Sequence, residues 1–138
     1  MRISYIIATL LLAGIFASCT RENQVVEPVK IVADTGGNAT INIIPRYLNK
    51  DIDSCVVYVY YNSKRAPESI FQYNNNMVAK PSGGRPTASF KGLKLGDYYF
   101  YGEGYDASRN WVLRGGATFK VVDSIPGTSY TVLLDLHP

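Results

Sequence analysis

The residues after position 28 form a succession of short β-branched and aromatic runs divided by turn residues, with no long segment of helical period. The clearest are CVVYVYY at Cys55–Tyr61 and YYFYGEGY at Tyr98–Tyr105. Runs of this length bounded by Gly, Pro, Asn and Asp are typical of strands. About seven such strands in one domain-sized stretch predict an all-β protein, a single antiparallel immunoglobulin-like (prealbumin-like) sandwich over residues 29–138.

Several local features predict where the strands begin and end. We expect Val29–Ala33 and Ala39–Ile43 to form a hairpin, because Asp, Thr, Gly and Asn lie between them. Pro45 should end the second of these strands, because proline cannot donate to the ladder. Ile70–Tyr73 is predicted to be a further short strand.

The second half of the chain is more regularly patterned. Gly115-Gly116 predicts a β-bulge inside a strand that spans residues 111–122. Side chains of a strand alternate between its two faces, so apolar residues at every second position should point inward. The predicted core is Ile41, Ile43, Val57, Val59, Leu93, Phe100, Phe119, Val132 and Leu134.

The first twenty residues resemble the signal peptide of bacterial lipoproteins. Arg2 precedes an apolar run at Ile6–Ala17, which is too short to span a bilayer, and small residues lead to Cys19. Phe16 departs from the aliphatic residue usual at its position. The resemblance implies a signal peptide at residues 1–18, a lipidated Cys19 followed by a tether to residue 28, and the outer membrane as a partner. It leaves open whether the domain faces the periplasm or the cell surface.

A second resemblance lies at Phe90–Tyr98, where FKGLKLGDY is similar to the corner of carboxypeptidase-regulatory or transthyretin-like sandwich domains. In that family the leucine at the position of Leu93 packs into the core, and the glycine at the position of Gly96 turns the chain into the next strand. The resemblance covers about residues 55–136. It implies a non-catalytic folding, adhesion or recognition module with no shared active site.

The residues offer little for catalysis, and we expect no enzymatic activity and no cofactor. His137 is the only histidine, next to the last residue, and Cys55 lies in an apolar run that should face inward. Too few His and Cys remain to bind zinc. The loop at Asn49–Ser54 has oxygen side chains at calcium-loop spacing but lacks the glycine and glutamate of an EF-hand, so a solvated turn is favoured and no metal is predicted.

Charge and short motifs narrow the partners. Without Arg2 the chain has thirteen basic and eleven acidic side chains and no basic run, which argues against a nucleic-acid partner. Glu103 has no second carboxylate predicted beside it, so a glycosidase pair is not indicated. Asp123-Ser124-Ile125 resembles a short O-glycosylation signal of some Gram-negative envelopes, and it also fits a plain turn before Pro126.

Alternation predicts that one sheet carries an outward patch of tyrosines. If Val57, Val59 and Phe100 face the core, the residues between them face outward, and their strands should be neighbours. Aromatic residues are good strand formers, and they are also typical of binding surfaces. The patch is predicted to contain Tyr58, Tyr60, Tyr99, Tyr101, Glu103 and Tyr105.

These observations predict a lipid-anchored structural or recognition subunit of a cell-envelope assembly, with an envelope protein as its partner. A surface glycan-binding module that uses the tyrosine patch is the alternative. A contiguous exposed patch would favour the second.

The first testable prediction concerns Cys19. Changing Cys19→Ser should block acylation and processing, leaving a precursor about two kilodaltons heavier that is held by its apolar run. Intact-mass measurement of membrane-extracted protein checks this result. Cleavage at another position without an acyl chain would contradict it.

Overall fold

The computed structural model describes residues 30–138, which form two packed β-sheets and one short 3-10 helix. The all-β prediction is confirmed, with nine strands, two of them very short, rather than about seven. The elements are β1 (Thr35–Tyr47), β2 (Lys50–Asp51), β3 (Cys55–Tyr61), the 3-10 helix (Ile70–Gln72), β4 (Asn75–Val78), β5 (Lys80–Ser82), β6 (Arg85–Leu93), β7 (Gly96–Asp106), β8 (Trp111–Val121) and β9 (Ser129–Asp135). No helix in this part of the chain is long and apolar enough to cross a membrane.

Strand β1 organises the first sheet. It pairs with β6 and, in a short hairpin, with β2, while β5 extends the sheet beyond β6. Its pairing with β9 is parallel, from Thr40 opposite Ser129 to Arg46 opposite Asp135. The second sheet has the order β4–β3–β7–β8, and every other pairing in the described residues is antiparallel.

The hairpin predicted between Val29–Ala33 and Ala39–Ile43 does not form. Residues 30–34 are not a strand, Val29 lies outside the described residues, and β1 continues through the predicted turn. The side chain of Asn62 takes the place of a partner strand, because its amide exchanges hydrogen bonds with the backbone N–H and C=O of Ala33. Pro45 does not end β1 either: its carbonyl accepts from Ile52 N–H at 3.0 Å, and Leu134 lies opposite it in β9.

Two further predictions about local structure are wrong. Ile70–Gln72 is a 3-10 helix because Ser69 and Gln72 form a capping box, which satisfies backbone N–H groups at its start. The pairing of β7 with β8 is unbroken from Gly96–Val121 to Asp106–Trp111, so the two glycines of β8 make no bulge. Instead, these glycines leave room for neighbouring groups. A Cβ on Gly115 would lie 2.1 Å from the carbonyl oxygen of Asp135.

The core matches the alternation in the sequence. Seven of the nine predicted core residues are fully buried, and Phe119 and Val132 are partly buried against them. Tyr98 is also completely buried, with its hydroxyl 2.8 Å from the carbonyl oxygen of Lys94 and 3.0 Å from that of Asp34. Burial raises the pKa of Tyr98 to about 12, so this phenol is neutral under ordinary conditions.

Leu93 provides a direct test of this core. Its side chain is 1% exposed, so Leu93→Ala should leave a cavity and lower the free energy of unfolding by about 2–5 kcal/mol. The matched control is Leu133→Ala, because Leu133 lies on the outer face of β9 and is 40% exposed. Chemical denaturation of both variants measures the difference. Equal losses would show that Leu93 is not part of the core.

Candidate functional site

The predicted patch residues lie on the outer face of the second sheet. In the pairing of β3 with β7, Tyr58 is opposite Tyr101 and Tyr60 is opposite Tyr99, while Val57 and Val59 are buried on the inner side. The four rings are half-buried, because neighbours on the same face cover part of each one. Alternation and register therefore bring Tyr58, Tyr60, Tyr99 and Tyr101 onto one surface.

A fifth ring, Tyr73, completes this surface and was not predicted. It stacks on Tyr101 with centroids 5.9 Å apart and planes 25° apart. Its centroid also lies 5.5 Å from that of Tyr58 and 6.1 Å from that of Tyr60. We call Tyr58, Tyr60, Tyr73, Tyr99 and Tyr101 together the tyrosine face.

The segment that carries Tyr73 is fastened to β3. The N–H of Asn74 donates to the carbonyl oxygen of Val59 at 2.9 Å, and its side-chain oxygen accepts from the N–H of Tyr61 at 2.8 Å. On the other side of Tyr73, the capping box at Ser69 fixes the 3-10 helix. The sequence gives no periodic signal for this position, because the ring is placed by an irregular segment.

Two phenols of the tyrosine face, those of Tyr73 and Tyr101, have raised pKa values. Burial raises the pKa of Tyr73 to about 12, with a smaller contribution from the neighbouring Tyr99 and Tyr101. Burial also raises the pKa of Tyr101, and the charge of Glu103 adds to that shift. Neutral hydroxyls both donate and accept hydrogen bonds, so the surface presents apolar ring area with polar tips.

Tyr99 occupies space that a glycine leaves open. A Cβ on Gly116 would lie 1.9 Å from the hydroxyl oxygen of Tyr99, so the ring reaches across β8 at this position. Gly116 is opposite Tyr101 in the same sheet, on the face that holds the tyrosines. The second glycine of Gly115-Gly116 therefore shapes the candidate site, while the first serves the interior.

An ion pair borders the tyrosine face. Glu103 accepts from Arg114 Nε at 3.0 Å and lies 3.4 Å from the hydroxyl of Tyr101. Tyr105 lies farther along β7, on the same face but beyond this pair, and its hydroxyl donates to the side chain of Asn110. The predicted set is thus a cluster of rings, a neighbouring ion pair and a separate tyrosine at the β7–β8 turn.

The catalytic candidates occupy structural positions. Burial raises the pKa of the Cys55 thiol to about 12, so it remains protonated at neutral pH and is a poor nucleophile. His137 lies next to the last residue but is not frayed, because its backbone exchanges two hydrogen bonds with Arg114, at 2.7 and 2.8 Å.

In the loop with calcium-like spacing, Asn49–Ser54, the carboxylate of Asp51 forms an ion pair with Arg85. Both carboxylate oxygens of Asp51 accept from Arg85 at 2.7 Å, which lowers the pKa of Asp51, and Ile52 within the loop is buried. Among residues 30–138 no three His, Cys, Asp or Glu side chains are grouped so that they could hold a metal ion.

Ser124, in the motif that resembles a glycosylation signal, uses its hydroxyl for three hydrogen bonds to backbone groups. Its hydroxyl donates to the carbonyl oxygen of Leu93 at 2.8 Å and accepts from the N–H groups of Asn38 and Ala39 at 2.8 and 3.2 Å. These contacts hold the irregular start of β1, where Gly36 has a φ of +88°. An O-linked sugar on Ser124 would replace the hydroxyl hydrogen, so the hydrogen bond to the carbonyl oxygen of Leu93 would be lost.

Comparison with known proteins gives no match: no protein family, no curated protein and no solved structure is similar to this chain at a significant level. The similarity to carboxypeptidase-regulatory domains therefore stays a prediction. Cys19 and the predicted signal peptide lie outside the described residues, so lipid attachment also stays a prediction.

The raised pKa of Tyr73 predicts how stability depends on pH. A phenol that ionises near pH 10 when unfolded and near 12 when folded stabilises the protein fully below pH 10, and this contribution is lost as the pH rises through 12. Tyr73→Phe should reduce the loss of stability in this window, while Tyr98 maintains part of it. Urea unfolding of both proteins, at about pH 8 and about pH 11, measures the difference. An identical pH dependence would contradict the assignment.

Proposed function

We propose that this protein is a non-catalytic, lipid-anchored recognition subunit of the bacterial outer membrane, and that it binds an envelope protein through the tyrosine face. Cys19 supplies the anchor to the membrane. The folded domain supplies the recognition surface. The proposal leaves both the periplasmic and the surface orientation open.

The observation that carries the proposal is the difference between the two outer faces. Outer positions of β1, β6 and β9, among them Thr40, Asn42, Ser89, Thr131 and Leu133, hold no aromatic side chain. The equivalent positions of β3 and β7 hold five tyrosines, including Tyr105, and Tyr73 is added from an irregular segment. Strand propensity alone acts on both sheets, so it does not account for this asymmetry.

The composition of the tyrosine face suits a macromolecular partner. Tyrosine is enriched at protein interfaces because a rigid apolar ring with a polar tip contributes large contact area at low entropic cost. The Glu103–Arg114 ion pair at the border adds charged groups of the kind found at an interface rim. Glycans also stack on aromatic rings. The five rings are half-buried, however, so they do not form the fully exposed patch that would favour a glycan, and a surface glycan stays the alternative ligand.

Support for a non-catalytic role comes from the candidate groups themselves. The Cys55 thiol is buried and protonated, Glu103 is paired with Arg114, and Asp51 is paired with Arg85. Each of these three groups thus has a structural partner or environment.

The test compares two double variants in the native membrane. Tyr60→Ser with Tyr101→Ser removes two rings of the tyrosine face, and Thr131→Ser with Leu133→Ser alters the outer face of the other sheet as a matched control. After detergent extraction, we expect a co-purifying envelope protein to be retained by the control and reduced roughly tenfold or more in the tyrosine variant. Thermal melts establish that both variants are folded.

Three outcomes are informative. Loss of the protein partner only in the tyrosine variant supports the proposal. Loss of binding to isolated envelope polysaccharide, with no protein partner in either sample, supports the glycan alternative. Equal binding by both folded variants overturns the use of the tyrosine face.

A further inference from the structure

One lateral side of the sandwich is only partly closed. The chain passes from β4 in the second sheet to β5 in the first through Ala79, which is buried and donates its N–H to the carbonyl oxygen of Cys55 at 2.9 Å. The short strand β5 then covers the outer edge of β6 from Arg85 to Thr87. After Thr87, β6 continues past the point where the chain crosses between the sheets, and β5 no longer covers the edge of β6.

Between β4 and the remainder of β6 lies a groove of about 800 Å³, which we call the β4–β6 groove. Its apolar lining includes Met77, Phe90 and Leu93. Of these, Phe90 and Leu93 belong to the core, and Met77 packs against it. The volume is within the range of roughly 300–1,000 Å³ that is usual for ligand sites.

The walls of the groove include strand edges. Among the described residues, Asn75–Val78 pairs only with β3, and Ser89–Leu93 pairs only with β1. Alternate residues of an antiparallel strand direct their N–H and C=O groups to opposite sides, so these edges present backbone donors and acceptors to the groove. An extended polypeptide has the repeating backbone groups that can satisfy such an edge.

The charge of the groove is one-sided. Among residues 30–138, Lys80 and Lys91 are the charged residues of its lining, and none of the lining residues is acidic. Neither lysine is part of an ion pair in the described part of the chain. A complementary ligand therefore carries negative charge beside apolar side chains.

We propose that the β4–β6 groove binds an extended segment of another polypeptide, which adds to the edge of β6 as a strand. The free edge at Ser89–Leu93 is about 16 Å long, which accommodates about five residues, and it includes Gly92, where φ is +69° and the register with β1 shifts. Alternate apolar side chains of the segment enter the groove against Met77 and Phe90, and acidic residues lie next to Lys80 and Lys91. This site is separate from the tyrosine face and binds by backbone hydrogen bonds.

A synthetic peptide tests the proposal on the full chain in detergent. The probe alternates valine and threonine between terminal glutamates, with both ends blocked. When it binds, amide exchange at Ser89–Leu93 should slow by roughly tenfold. The same peptide with alternate backbone nitrogens methylated, so that those facing β6 cannot donate, should bind about tenfold more weakly.

A charge reversal provides the second arm. Lys80→Glu with Lys91→Glu should shift the preference from the glutamate-ended peptide to a lysine-ended one by about tenfold, as measured by fluorescence anisotropy. The matched control, Lys50→Glu with Lys120→Glu, makes the same charge change at exposed positions outside the groove lining and should leave the preference unchanged.

Several results would overturn the proposal. Equal affinity for the methylated peptide would exclude strand addition, and slowed exchange along β9 instead of β6 would place the peptide elsewhere. Protection of Ser89–Leu93 without peptide would mean that the groove already has an occupant. If that protection disappeared on dilution, the occupant would be a second copy, and if it disappeared on deleting residues 20–29, it would be this chain's own N-terminal segment.

Discussion

The close approach of β9 to the second sheet closes this sandwich. It depends on two glycines, Gly102 and Gly115, because any side chain at these positions would meet β9. A Cβ on Gly102 would lie 2.7 Å from Leu134 Cδ2, and one on Gly115 would overlap the backbone of β9. The side chains of Leu134 and Leu136 fill the space beside Gly102, and the backbone of Asp135 fills the space beside Gly115. The N–H of Leu136 then bonds to the carbonyl oxygen of Arg46 at 2.8 Å, which ties the end of the chain to β1.

This closure connects the core to the candidate site, because β7 serves both. Its inner face contributes Tyr98, Phe100 and the space beside Gly102, and its outer face contributes Tyr99 and Tyr101. Each outward ring is therefore attached to a backbone whose other side is completely packed. A surface built on such a strand has little freedom to rearrange, which reduces the conformational cost of binding.

The irregular segment between β3 and β6 contributes to both the tyrosine face and the β4–β6 groove. It places Tyr73 on the tyrosine face, held by Asn74 and by the capping box at Ser69. It also crosses between the sheets at Ala79, which leaves the β4–β6 groove beyond the crossing. The tyrosine face and the β4–β6 groove, the two surfaces that we propose for recognition, thus both depend on one stretch of chain.

The sequence by itself determined the all-β class, most of the core and the face to which each residue of β3 and β7 points, because alternation is a local property of a strand. Only the tertiary structure decided the path of β1 through Pro45, the position of Tyr73 and the roles of Gly115 and Gly116. Each depends on groups distant in sequence: β9 opposite Pro45, Tyr101 beneath Tyr73, and Asp135 and Tyr99 against the two glycines. A periodic pattern shows which side of a strand is buried, but contacts between distant segments decide what covers it.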